Sequence, residues 1–281
     1  MSAEKTARRF LRRTFSLERG GAMHINTQGL VLRETNYKEA DKILTVLTRE
    51  GGKRTVKARG CRRKNSPLAA SSQLLAWSDM TLFEYRDRCT MNEAETLELF
   101  WGVRRDVEKL ALCAYFAEVT ELVAEEGRPD QGLLSLILNS AYALDHLNKP
   151  LPLVKAFFEL KLLCLAGYEP LLETCAVCGA EYPEGPRLNL DEGVIGCSVC
   201  SGTEEGNWRS LDAGSLAAMR HVVYGDPKRL FSFPLDGPGQ ALLSVACEDF
   251  LLTQMDRGFG TLDFYRKLRN ETALPGDTPR P

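Results

Sequence analysis

Gly29-Leu-Val-Leu-Arg-Glu34, Lys42-Ile-Leu-Thr-Val-Leu-Thr48 and Lys53-Arg-Thr-Val-Lys-Ala-Arg59 follow one another within residues 29–59, the last two separated by the turn signal Glu50-Gly51-Gly52. Short β-branched runs bounded by glycine read as strands of an antiparallel unit. A basic loop, Gly60 to Pro67, follows, and then Leu74–Tyr85 and Arg88–Leu97 form a further pair around Arg86-Asp87. Five short strands in this space fit a small closed β-barrel of the OB type, which leaves a sheet face and loops free for an oligonucleotide.

Beyond Trp101 the period changes. Val103, Val107, Leu110, Ala111, Ala114, Phe116, Ala117, Val119 and Leu122 recur at helical spacing, and Gln131–Leu147 and Pro152–Gly167 give two further helices. Gly167 is placed to end the last of these, with Pro170 just beyond. Asp212–Tyr224 and Gly239–Asp256 repeat the pattern nearer the C-terminus.

Between the helical stretches stand Cys175-Ala-Val-Cys178 and, after eighteen residues, Cys197-Ser-Val-Cys200. Two Cys-x-x-Cys turns at this separation aim four thiolates at one tetrahedral ion, the ligand set of a structural zinc. Gly179 and Gly202 supply permissive backbone beside the two turns, and Arg187–Leu190 with Val194–Gly196 flank Asp191-Glu192-Gly193 as a small hairpin. A pair of redox Cys-x-x-Cys motifs is the competing reading, but such a motif is expected singly and beside a βαβ pattern.

The fold class is therefore α+β and multidomain: an OB-type barrel, then a helical domain carrying a four-cysteine zinc module. Residues 1–22 read as a flexible basic extension with Arg8, Arg9, Arg12 and Arg13 around Phe10 and Leu11. Residues 23–100 are the barrel, 101–172 and 206–268 the two parts of the helical domain, 173–205 the zinc module, and 269–281 a disordered tail. The 281 residues suffice for two cores, and 44% hydrophobic and 26% charged residues are ordinary for a globular protein. No apolar run reaches the ~20 residues of a membrane helix. Cys61, Cys89, Cys113, Cys164 and Cys247 remain outside the zinc set, an odd number that fits a reducing cytoplasm.

Catalytic patterns are missing. With His24, His146 and His221 as the three histidines, neither a His-Glu-x-x-His nor a deaminase-type metal site can be assembled, and Gly52-Lys53-Arg54 with Leu47 upstream is no phosphate-binding loop. Neither an enzyme nor a small-molecule substrate is expected.

The net charge of −2 conceals an asymmetry. Lys53, Arg54, Lys57, Arg59, Arg62, Arg63 and Lys64 lie between Gly51 and Pro67 with no acid among them, whereas Glu118, Glu121, Glu125, Glu126 and Asp130 reverse the balance later. A charge run is most often a solvated face. This one lies on a barrel strand and loop with Tyr37, Trp77, Phe83 and Tyr85 in the same domain, the pairing of cations and stacking platforms that single-strand binders use. Tyr37 and Tyr85 are the preferred stacking residues, since Trp77 and Phe83 suit a core equally well. Arg33, Lys38, Arg86 and Arg88 extend the surface. Phosphate contacts of this kind position a strand without reading its bases.

In order and spacing, Glu39-Ala-Asp-Lys-Ile-Leu-Thr-Val-Leu-Thr48, Gly52-Lys53, Ala58-Arg59-Gly60, Phe158-Glu-Leu-Lys-Leu-Leu163, Gly167-Tyr168 and Cys175–Gly179 resemble the bacterial recombination mediator family RecO, over about residues 23–268. The resemblance implies a DNA repair protein of the RecF pathway that binds single- and double-stranded DNA and anneals complementary strands. It further implies that, with RecR, the protein helps RecA load onto strands coated by the single-stranded-DNA-binding protein, whose C-terminal tail docks on the helical body. Lys53 and Arg59 are the DNA contacts that carry over from the matching Gly-Lys and Ala-Arg-Gly elements. The resemblance also implies a metal that is structural and a cytoplasmic, nucleoid-associated protein. The competing hypotheses are a zinc-stabilised protein-interaction adaptor with a merely solvated basic loop, and a nucleic-acid-processing enzyme.

Overall fold

The computed structural model describes residues 16–18, 22–86, 88–202 and 206–272. The chain divides into two compact units, Met1–Ser135 and Leu136–Pro281. The arginines expected around Phe10 and the segment beyond Thr272 lie outside the described residues.

In the first unit six strands run in chain order: β1 (Ser16–Glu18), β2 (Ala22–Tyr37), β3 (Asp41–Thr48), β4 (Gly52–Ala58), β5 (Trp77–Tyr85) and β6 (Arg88–Glu98). The sheet order is β1-β2-β3-β4-β6-β5, with β2 also pairing β5. Each of β3 to β6 therefore has two neighbours, β2 has three, and the ladder closes on β2. All of these pairings are antiparallel except β4 with β6.

Closure depends on β2, which extends well beyond the expected Gly29–Glu34. Its first half pairs with β5 and its second with β3, and Gly29 belongs to both ladders. A Cβ at Gly29 would sit 2.6 Å from Val46 Cγ1 and 3.1 Å from Met80 Sδ, so only glycine lets the strand pass so close to the core. The bulge between Val31 and Arg33 follows directly and bends the strand on towards β3.

Ile25, Val31, Leu44, Val46, Val56, Met80, Leu82 and Met91 fill the interior. The segment between β4 and β5 is not a loose basic loop. It is a succession of tight turns, with Arg63, Ser66, Ala69, Gln73 and Ala76 each donating its N–H to the carbonyl three residues back. Cys61, Leu68 and Ala76 from this segment join the core. Leu75, at φ 63°, donates its N–H to the Val31 carbonyl at 2.8 Å and the Val31 N–H returns to the Ala76 carbonyl at 3.1 Å, which delays the next strand from the expected Leu74 to Trp77. Also in this unit, Asp106 breaks the expected long helical stripe. Its carboxylate caps the N–H groups of Glu108 and Lys109, giving separate helices Trp101–Arg104 and Val107–Val123 and leaving Val107 exposed.

In the second unit the helix Leu151–Leu165 is nearly all buried, and packs against Ala213–Tyr224 and Gly237–Met255. It ends as expected. Gly167 takes φ 91° and Tyr168 N–H returns to the Leu163 carbonyl at 2.8 Å. Lys155, buried on this helix, is satisfied by Glu159 at 2.8 Å and Glu248 at 2.6 Å, and Arg266 closes the network on Glu248 at 2.5 Å. Burial opposes ionisation of Glu248, but Lys155 and then Arg266 prevail and hold its carboxyl below the usual range.

Two ends of the chain differ from expectation. Ser16–Glu18 is a strand paired with Ala22–His24, within the expected extension. A helix spans Gly260–Thr272, taking in the start of the expected tail. Phe259, Leu262 and Tyr265, spaced by three, bury its inner edge and supply the helical signal there. Among the described residues, no helix is long and apolar enough to cross a membrane.

Candidate nucleic-acid interface and metal centre

Strand register decides where the basic residues fall. At one end of the closed ladder lie the end of β2 (Tyr37 opposite Asp41), the end of β4 (Ala58 opposite Lys42 and Met91), the start of β6 and the end of β5 (Tyr85 opposite Arg88). Lys38, Lys57, Arg59, Arg62, Arg86 and Arg88 belong to these strand ends and the turns that join them. Arg62 ties the turn segment back, its N–H to the Ala40 carbonyl at 3.0 Å and its guanidinium to the Lys38 carbonyl at 3.4 Å. Arg63 and Lys64 follow on the same exposed turn.

Asp41 organises this end. It accepts the Gly60 N–H at 2.8 Å and pairs with Lys57 at 2.9 Å. The Gly60 bond first, then Lys57, holds its carboxyl below the ordinary carboxylate range, so it stays ionised and fixes the turn. Lys57 in turn lies 4.9 Å from the Tyr37 ring centroid, and Lys38 lies 5.6 Å from it. Arg86 covers Tyr85 at 5.1 Å. Tyr37 and Tyr85, 42% and 40% exposed, thus present ring faces flanked by cations, an arrangement suited to a phosphate beside a stacked base. Trp77 and Phe83 are half-buried on outward strand positions, and Phe83 packs on His24 at 5.0 Å.

Other expected contacts are engaged elsewhere. Arg33 pairs with Glu121 at 2.8 Å, Lys53 donates to the Glu121 backbone carbonyl at 2.8 Å, and Arg54 pairs with Glu84 at 2.9 Å. By contrast, Arg59, Arg63, Lys64 and Arg88 have no carboxylate partner among the described residues. Composition alone treats all these cations alike; the cross-chain pairing that separates them carries no local sequence signal.

The metal centre belongs to the second unit. The ligand atoms of Cys175, Cys178, Cys197 and Cys200 lie within 4.8 Å of one another. A tetrahedron with Zn–S bonds of about 2.3 Å needs sulfurs about 3.8 Å apart, so little closure is required. The local fold aims them. Gly179, at φ 74°, turns the first knuckle so that its N–H reaches the Cys175 carbonyl at 2.9 Å. The second knuckle is the short helix Ser198–Ser201, whose cap Gly202 has an ordinary φ of −75°, so no special backbone freedom is needed there. The strands β7 (Arg187–Asn189) and β8 (Val194–Gly196) form the expected hairpin, and β9 (Trp208–Ser210) adds a third strand beyond residue 205. Burial opposes a Cys175 thiolate, but the N–H groups of Cys178, Cys197 and Val177 draw its pKa down to about 6. Cys200 is pushed up to about 12, first by its bond to Cys197 and then by burial. Four thiolates this close ionise together only around a cation, and the all-sulfur donor set fits a soft, tetrahedral divalent ion.

Two family models match the chain: "Recombination protein O N terminal" over residues 23–100 and "Recombination protein O C terminal" over residues 104–263. The chain belongs to the RecO family. Among its relatives, the DNA repair protein RecO of Symbiobacterium thermophilum is 32% identical over 249 residues, covering 87% of this chain and 98% of that protein. That of Acetivibrio thermocellus is 30% identical over 246 residues, with 87% and 97% covered. RecO of Bacillus pumilus is 34% identical over 210 residues, with 74% and 80% covered. RecO is a DNA repair and recombination family, and its two matched segments meet where the last strand gives way to the first helix.

Proposed function

We propose that the first unit is an OB-type barrel that binds single- and double-stranded DNA through its basic end and anneals complementary strands. With RecR, the protein would assist RecA loading onto strands coated by the single-stranded-DNA-binding protein, whose acidic C-terminal tail is the docking partner. One structural zinc at Cys175, Cys178, Cys197 and Cys200 would stabilise the second unit, and the setting is cytoplasmic, at the nucleoid.

The observation that carries this reading is the gathering of Tyr37, Lys38, Lys57, Arg59 and Arg62 at one ladder end, where two cations flank an exposed ring. Such a surface neutralises phosphates on two strands and lowers their repulsion, counterion release drives binding, and base pairing then outcompetes a contact made to the backbone alone. No turnover is needed.

The adaptor reading draws on Tyr182 and Val199, which are 81% and 78% exposed on the cysteine module. Binding of a labelled oligothymidylate across a salt series separates the two. About four phosphate contacts predict a log–log slope of about −3 for a single strand. Salt-independent or undetectable binding would leave the adaptor.

A further inference from the structure

The acidic stretch of the sequence is built against the basic strand. Only Val56–Ala58 of β4 pair with β6, so the first half of β4 has an edge not covered by that strand. Glu125 and Glu126 cover it: Lys53 N–H donates to the Glu125 carbonyl at 3.0 Å, and Gly52 and Lys53 form bridges to Glu126. The approach needs glycine. A Cβ on Gly52 would lie 2.1 Å from the Arg128 carbonyl oxygen, and φ is +63°. One helical turn earlier, Glu121 accepts Arg33 at 2.8 Å and the Thr45 hydroxyl at 3.3 Å with its carboxylate, and Lys53 with its carbonyl. The sheet continues this polarity. Exposed Asp79 and Glu95 face each other on β5 and β6 towards the same end, while the cations without carboxylate partners occupy the other.

We infer that the Glu121 carboxylate is an internal competitor for phosphate, which fences the outer face of β3 and β4 and confines a nucleic-acid backbone to the Tyr37–Arg59–Arg62 end. The segment after it covers the β4 edge with backbone alone. The inference rests on the nucleic-acid reading above. A carboxylate held between an arginine and a threonine hydroxyl occupies a place that a phosphate oxygen would take, and it repels any strand that approaches. Arg33 and Lys53 are therefore not contacts of the resting protein, although their positions in the sequence mark them as such.

A double-mutant cycle reads this out. In oligothymidylate binding across a salt series, Arg33→Ala should change the affinity of the wild-type background less than twofold. Glu121→Gln, which keeps the side chain's size and removes its charge, should tighten binding about fivefold and steepen the salt slope by about 0.7, the increment of one added single-strand contact. Arg33→Ala placed in the Glu121→Gln background should abolish that gain. Glu125→Gln, whose carboxylate pairs with Arg128, serves as the charge control and should leave the slope unchanged. Wild-type binding with a normal slope, combined with either a silent Glu121→Gln or an equal steepening by Glu125→Gln, overturns the fence while the interface reading stands. Absence of salt-sensitive binding by the wild type would remove both.

Discussion

Charge reversal at Lys57 and Arg59 together is expected to weaken single-strand binding on the order of a hundredfold at low salt and to flatten the salt slope by about 1 to 2. The size follows from position. Arg59 is exposed without a carboxylate partner among the described residues, and Lys57 sits between Asp41 and the Tyr37 ring. Glutamate at both places would put two new negative charges beside Asp41, at the point where the ladder end gathers its cations. Oligonucleotide anisotropy at three or more salt concentrations checks this, with the first unit's thermal transition as a folding control. An unchanged slope would show that the backbone does not run across this end.

The second large effect concerns the metal. Replacing Cys175 with serine is expected to destabilise the second unit by on the order of 5 kcal/mol, because structural zinc contributes roughly 10–16 kcal/mol in small zinc-dependent domains and three ligands recover part of it. Cys175 is the best placed of the four to show this. It is buried, its sulfur accepts the Cys197 N–H at 3.4 Å, and its own N–H and carbonyl hold the first knuckle. Salt-dependent DNA binding should persist, since the basic end lies wholly in the first unit. Metal analysis of the reduced protein should find one zinc per chain. Calorimetry of the wild type and the Cys175→Ser variant distinguishes this from a dispensable ion, for which both would melt alike.

How far these features were legible in the sequence depended on whether their determinants are local. The cysteine centre was readable because its geometry is written in two short turns and one hairpin. The β3–β4 hairpin was readable for the same reason, with Glu50-Gly51-Gly52 between two alternating runs. Gly167 marked its helix end for a stated backbone reason.

Non-local features were not readable. The long β2 was cut short because Asn26, Thr27 and Gln28 dilute its hydrophobic alternation, although Ile25 and Thr27 are buried and Asn26 exposed as a strand demands. Gly29 gave no sign that two strands would cross it. The basic stretch from Gly60 to Pro67 reads only as a loop, and nothing local shows that Cys61, Leu68 and Ala76 anchor its turns in the core. For the cations, charge and position predict exposure but not pairing. Lys53 stood beside Arg59 as a carried-over contact, and only the tertiary fold brings Glu121 and Glu125 to it. The family assignment does not separate them either; the hydrogen bonds do.

The most direct test is annealing of two complementary labelled oligonucleotides, bare and coated with the cognate single-stranded-DNA-binding protein, with wild type and the Lys57→Glu/Arg59→Glu variant side by side. The account predicts acceleration of both substrates by the wild type, suppressed by salt and lost in the variant. Equal acceleration by the variant, or none by the wild type on either substrate, would contradict it.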